Sequence, residues 1–234
     1  KIAWNIYQRK ILNNATAIHA TSVDEKKHLL ELGIKSKIEV LLHGIEIQDL
    51  EDKKTNKSKN KKLLYFSRIH EKKGILELIN SWKIINNDEW TLDIYGPVTD
   101  QKYLSLIKQN IEKLSLSNKV KIFDPIFEKA LKKKIYTSSD CFILPSKSEN
   151  FGISIGEALS FGLPVITTTS TPWKEITKYN AGFLFDFSQE NLTKYLKKLI
   201  GLSNEQLKKM SQNAVKLISD NYDFNKIIVD YINF

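Results

Sequence analysis

At 234 residues, with 41% hydrophobic and 27% charged residues, the chain fits an ordinary soluble protein with one large or two small domains and ample core. No apolar run approaches the ~20 residues needed to cross a bilayer, and the lone Cys141 excludes an internal disulfide and suits a reducing cytosol. The net charge of +9 does not make a nucleic-acid binder: the lysines are spread along the chain and Arg9 and Arg68 are its only arginines, whereas phosphate and base readers lean on arginine.

The start, Lys1-Ile2-Ala3-Trp4-Asn5, carries neither an initiator Met nor a signal-peptide apolar region, so the chain reads as a piece of something longer. Residues 1–13 predict a helix, 15–21 a strand, 23–32 a second helix closed by Gly33, and 38–42 an extended segment ending at His43-Gly44. A lysine-rich stretch follows, densest from Lys53 to Lys62, with Asn, Thr and Ser between the charges and no aromatics. It reads as a solvated linker and a domain boundary. Attraction to acidic lipid headgroups stays open as a secondary effect.

Beyond the linker a regular series begins: strand 62–67, helix 74–85 with Ile75, Leu78, Ile79 and Trp82 on one face, and strand 91–95 ending in Gly96-Pro97. Helix 103–114, strand 119–123, helix 127–136 and strand 140–144 come next. The helix after Gly152 stops at Gly162 with Pro164 beyond it, strands 165–168 and 181–186 follow, and the rest is helical. Six strands at this spacing predict an α/β fold with a doubly wound, Rossmann-like parallel sheet, whose ligands bind at the carboxyl ends of the strands.

Two of those strand ends carry chemistry. After the first comes Ser67-Arg68-Ile69-His70-Glu71-Lys72-Lys73-Gly74, where Arg68 and Lys73 flank a short loop feeding a helix. A planar fork and a point charge beside a helix N-terminus make a clamp for a diphosphate, with Lys72 as an alternative to Lys73. After the Cys141 strand comes Glu149-Asn150-Phe151-Gly152-Ile153, then Glu157 just over one turn later. The amides of that turn can face a phosphate or sugar oxygen, Glu149 can face a sugar, and the Glu157 carboxylate can accept the hydroxyls of a ribose. A phosphate beside polyols describes a nucleotide-sugar.

Arg68 with Lys73-Gly74, Glu149-Asn150-Phe151-Gly152 with Glu157-Ala158, and Gly162-Leu163-Pro164-Val165-Ile166 together resemble the hallmark of family-four retaining glycosyltransferases of the two-domain GT-B fold. The resemblance implies that the chain is the C-terminal, donor-binding half of such an enzyme. Residues 1–46 would be the last helix-strand-helix remnant of the acceptor domain with an interdomain segment, and 47–61 the linker. Residues 62–222 would be the nucleotide-sugar domain, and 223–234 a helix crossing back. Arg68 and Lys73 would neutralise the leaving diphosphate and Glu157 would hold the ribose. Glu149 and the amides of Asn150, Phe151, Gly152 and Ile153 would hold the donor sugar, and backbone near Gly96 and Ile126 would meet the base.

Such an enzyme implies a UDP- or GDP-sugar donor, a glycan or lipid-linked acceptor, no metal ion and no other cofactor. It also implies a role in surface polysaccharide synthesis in the cytoplasm, with contact at the inner membrane face left open. With most of the acceptor domain missing, this piece is expected to transfer little or nothing alone. A non-catalytic nucleotide-binding module on the same scaffold and a nucleotide-sugar epimerase are the alternatives. The sequence departs from the family pattern at His43 and Glu46, at Gly96-Pro97-Val98, at Asp124, and at Thr169 to Trp173.

The four histidines, His19, His28, His43 and His70, show no metal-ligand spacing. Ser146 and Ser148 lack a His–acid partner for a hydrolase triad. Trp82 and Trp90 read as sheet packing, as does Trp173, although its place near the cleft keeps a sugar-platform role open.

Overall fold

The computed structural model describes residues 3–48 and 60–232. A π-helical stretch, Trp4–Gln8, runs into helix α1 (Arg9–Asn13) and is followed by β1 (Ala17–Ala20), α2 (Val23–Glu31) and β2 (Lys37–Val40). Ser22 starts α2 because its hydroxyl accepts from the Glu25 amide, and Gly33, at φ +76°, lets the chain leave it. Strands β1 and β2 pair in parallel and share a small core of Ala20, Ile34 and Ile38.

The predicted linker, 47–61, falls mostly on residues 49–59, which lie outside the described residues. Its end is earlier than predicted, since Lys61 already opens β3 (Lys61–Phe66). There follow α3 (Ile75–Ile85), β4 (Trp90–Tyr95), α4 (Gln101–Lys113), β5 (Val120–Phe123), α5 (Lys129–Thr137) and β6 (Cys141–Leu144). Then come α6 (Ile153–Ser160), β7 (Val165–Thr168), α7 (Glu175–Lys178) and β8 (Gly182–Phe185). Helices α8 (Gln189–Ile200), α9 (Asn204–Asn221) and α10 (Phe224–Ile232) end the described chain.

All six strands β3 to β8 run parallel, in the spatial order β5-β4-β3-β6-β7-β8. Every residue of β6 and of β7 is buried, as a sheet covered on both faces requires. The chain builds outward from β3 in one direction, then returns and builds from β6 in the other. The loops leaving β3 and β6 therefore flank the switch point, where open α/β sheets form their ligand crevice.

Two helix starts shift from their predicted places. Helix α4 starts two residues before its predicted Tyr103, because the Asp100 carboxylate accepts from the amides of Lys102 and Tyr103. Helix α5 starts two residues after its predicted Phe127, whose side chain is exposed. The single turn of α7 was not predicted.

The two parts of the chain meet at several points. Ile45 and Asp223 form an isolated parallel bridge, and the Tyr231 hydroxyl of α10 lies 3.3 Å from His19 Nε2 on β1. Gly44 has no room for a side chain, since a Cβ would stand 2.8 Å from Phe224 Cα.

Candidate functional site

The β3–α3 loop is fixed from beneath. Ile69, fully buried, donates its amide to Pro97 O at 2.9 Å, and the buried Tyr65 hydroxyl donates to Arg68 O at 3.2 Å. A 3-10 turn over Glu71–Lys73 is capped by His70, whose Nδ1 accepts from the Lys72 amide. Gly74 then takes φ +70°, and a Cβ there would lie 2.2 Å from Pro145 O. Only glycine allows this turn to press against the end of β6.

The β6–α6 loop is held by complementary bonds. Its Lys147 amide donates to Lys72 O at 2.8 Å, joining the two loops directly. Thr168 Oγ1 donates to Ser146 O at 2.6 Å, and Trp173 Nε1 donates to Phe151 O at 2.5 Å. Gly152, at φ +80°, turns the chain into α6. That helix has no side-chain cap and no acidic residue in its first turn, so its leading amides and the positive end of its dipole are open to an anion.

These loops converge on one open cleft of about 900 Å³. Lys73 is buried and pairs with Glu149, Nζ to Oε1 2.5 Å, so the predicted diphosphate clamp and the predicted sugar-facing acid touch each other. This favours Lys73 over Lys72 as the inner cation, although both line the cleft. The exposed Arg68 guanidinium, like Lys72, has no carboxylate partner among the described residues. Glu157 stands one turn into α6 and is engaged on both oxygens: Lys132 Nζ lies 2.5 Å from Oε1, and the Tyr136 hydroxyl donates to Oε2 at 3.0 Å.

The carboxylates of Glu149 and Glu157 thus answer Lys73 and Lys132, and among the described residues the charges of Arg68 and Lys72 are left over to attract an anion. Among the described residues no cluster of His, Cys, Asp or Glu is suited to a metal ion.

The small N-terminal unit closes one side. Thr21 and His43 line the cleft, and the His43 ring meets Phe151 edge-on with centroids 4.9 Å apart. Burial, reinforced by the neighbouring His19, holds the His43 pKa below its ordinary value. The Asn150 side-chain amide donates to Glu25 Oε1 at 3.2 Å, tying the β6–α6 loop to α2.

Of the predicted residues, Arg68, Lys73, Glu149, Asn150, Phe151, Gly152, Ile153 and Glu157 all line this cleft. Gly96 and Ile126 are not among the residues that line it. Gly96 is a close-approach glycine: a Cβ there would lie 1.8 Å from Ser67 O, so it lets β4 end against the Arg68 loop. The sugar-platform role left open for Trp173 is corrected. Its ring is fully buried between Phe151 and Tyr222, and it props up the loop from behind.

Sequence reasoning missed Lys132, Tyr136, Thr21 and His70 as cleft or supporting residues. Lys132 and Tyr136 stand four apart on a predicted helix, hence on one face, which was a usable signal. What that face meets is not written locally.

The family model described as glycosyl transferases group 1 matches residues 46–217. The chain belongs to that family. An uncharacterized glycosyltransferase of Haemophilus influenzae is 26% identical over 183 residues, covering 76% of this chain and 50% of the relative. A Klebsiella pneumoniae protein described as lying in the cps region is 26% identical over 197 residues, covering 80% and 52%. The chain therefore spans about half the length of these curated relatives. The Anabaena HepE protein, crystallised with UDP and glucose, superposes with a TM-score of 0.83 at 20% identity, over 96% of this chain and 66% of that one. The fold is that of GT-B glycosyltransferase structures.

Proposed function

We propose that this chain is the donor-binding half of a retaining glycosyltransferase that moves a hexose from a UDP- or GDP-sugar to a glycan or lipid-linked acceptor. The observation that carries the reading is the convergence, at the sheet's switch point, of an uncapped helix N-terminus, two cations without a carboxylate partner among the described residues, and two carboxylates around one cleft. In this reading Arg68, Lys73 and the α6 amides take the diphosphate and stabilise its charge as it leaves, work that a metal ion does elsewhere. Glu157 holds the ribose. Glu149 orients Lys73 and, with the amides of Asn150 to Ile153, the sugar. Gly96 contributes indirectly, by setting the Ser67–Arg68 backbone.

Residues 1–46 are proposed to belong to the acceptor domain, consistent with the chain spanning about half its relatives' length. That same fact favours a narrower reading of the piece itself, which would bind donor without transferring sugar. A role in surface polysaccharide synthesis draws support from the cps-region relative. Among the described residues no helix is long and apolar enough to cross a membrane.

Calorimetric titration with UDP and GDP, each with and without EDTA, tests the proposal. One nucleotide should bind equally in both buffers, and Arg68→Ala should weaken it by more than ~1 kcal/mol. A folded chain that binds neither at millimolar concentration would sink the reading.

A further inference from the structure

Glu157 is the most elaborately held side chain of the cleft, and its holders come from a different element. Tyr136 on α5 is fully buried, with its ring stacked between Phe66 and Phe161 at centroid distances of 5.6 and 5.0 Å. Stacking on both sides leaves the ring little freedom, so the phenol oxygen has a fixed position. Its hydroxyl donates to Glu157 Oε2 at 3.0 Å. One turn earlier, Lys132 reaches Oε1 at 2.5 Å while its Nζ stands 5.4 Å from the centroid of the same Phe66 ring. Lys132 and Glu157 are each about a quarter exposed, so the carboxylate is open to the cleft, whereas Tyr136 is sealed behind it.

Each carboxylate oxygen offers about two acceptor directions. Tyr136 and Lys132 occupy one on each oxygen, which leaves one on each for an incoming donor. Two acceptors fixed side by side in a plane match two hydroxyls on adjacent carbons. We infer that Tyr136 and Lys132 are positioning residues that lock the Glu157 carboxylate as a two-point acceptor for a vicinal diol, and so make the cleft selective for ribo- over 2′-deoxyribonucleotides. This rests on the donor-site reading above, in which Glu157 takes the ribose. Burial beside Glu157 pushes the Tyr136 phenol well above its ordinary pKa, so the group stays a proton donor throughout the working range. The ion pair adds a salt-sensitive hold on one oxygen, and the phenol a salt-insensitive hold on the other.

The test is the ratio of dissociation constants for a nucleoside diphosphate and its 2′-deoxy counterpart, measured with UDP or GDP, whichever binds more tightly. The wild-type chain should prefer the ribonucleotide by about tenfold or more, the worth of one hydrogen bond to a charged group. Tyr136→Phe keeps the stacked ring and should fold; Lys132→Met keeps the stem. In each variant the preference should fall to less than about threefold as the carboxylate loses its fixed plane. Arg68→Ala should weaken both nucleotides alike and leave the ratio unchanged.

A preference that survives in both variants overturns the inference while leaving the donor site standing. A wild-type chain that binds a ribonucleotide but shows no preference overturns it as well. Failure of the wild-type chain to bind either ribonucleotide overturns the donor-site reading, and this inference with it.

Discussion

The six-stranded unit and the two-stranded unit before it solve the same burial problem to different degrees. The large sheet is covered on both faces: Leu63, Leu64, Tyr65, Phe142, Ile143, Val165 and Ile166 are wholly buried along three of its four inner strands. The small one gathers just Ala20, Ile34 and Ile38 into its buried cluster among the described residues, and leaves Ile6, Ile11, Val23 and Leu30 more than half exposed. Two strands rarely hold together alone in water. The small unit is therefore steadied by what it touches: α10 through Tyr231 and His19, and the β6–α6 loop through Glu25 and Asn150. The lesson concerns the cleft. Its charged walls stand on the rigid sheet, and only the Thr21 and His43 side rests on the looser unit.

Breaking the rigid unit should cost most. Trp173→Ala removes a fully buried ring and its hydrogen bond to Phe151 O, and should destabilise the large unit by about 3–5 kcal/mol in urea unfolding. Because the Phe151 turn loses its prop, diphosphate binding should fall even under conditions where the variant is folded. Ile38→Ala should cost less, about 2 kcal/mol, and locally. Hydrogen exchange should speed up in residues 17–20 and 37–40 and stay unchanged in β3 to β8. Equal loss of protection in both units would mean that they unfold as one.

The smallest effect is at the junction and depends on pH. Burial holds the folded His43 pKa below its ordinary value of 6.5. As pH falls below 6.5 the unfolded chain takes up a proton before the folded one does, so stability declines down to the depressed folded value and levels off beneath it. His43→Gln should flatten that slope, measured as Tm between pH 7.5 and 5.

Much of this was legible in the residues. The β7 boundaries came out as predicted because Pro164 and the turn after Thr168 bracket an unbroken apolar and β-branched run. The two strand-end loops stood out because rare residues and turn-forming glycines coincide there. What stayed hidden was non-local. The need for glycine at 96 comes from the Ser67 carbonyl, 29 positions earlier in the chain, rather than from its own turn. Trp173 read as packing with a cleft role left open, because sequence places it near the loop without saying which side of the loop it supports. Periodicity put Lys132 and Tyr136 on one helical face, but only the packing of α5 against α6 shows that this face meets Glu157.

The most direct test of the proposed donor cleft is a crystal of the chain soaked with UDP and, separately, GDP. The account predicts a diphosphate lying against the Gly152–Ile153 amides, with the Arg68 guanidinium and Lys73 Nζ within hydrogen-bond distance of its oxygens and the ribose at Glu157. A nucleotide seated elsewhere on the molecule, with Arg68 and the first turn of α6 untouched, would refute it.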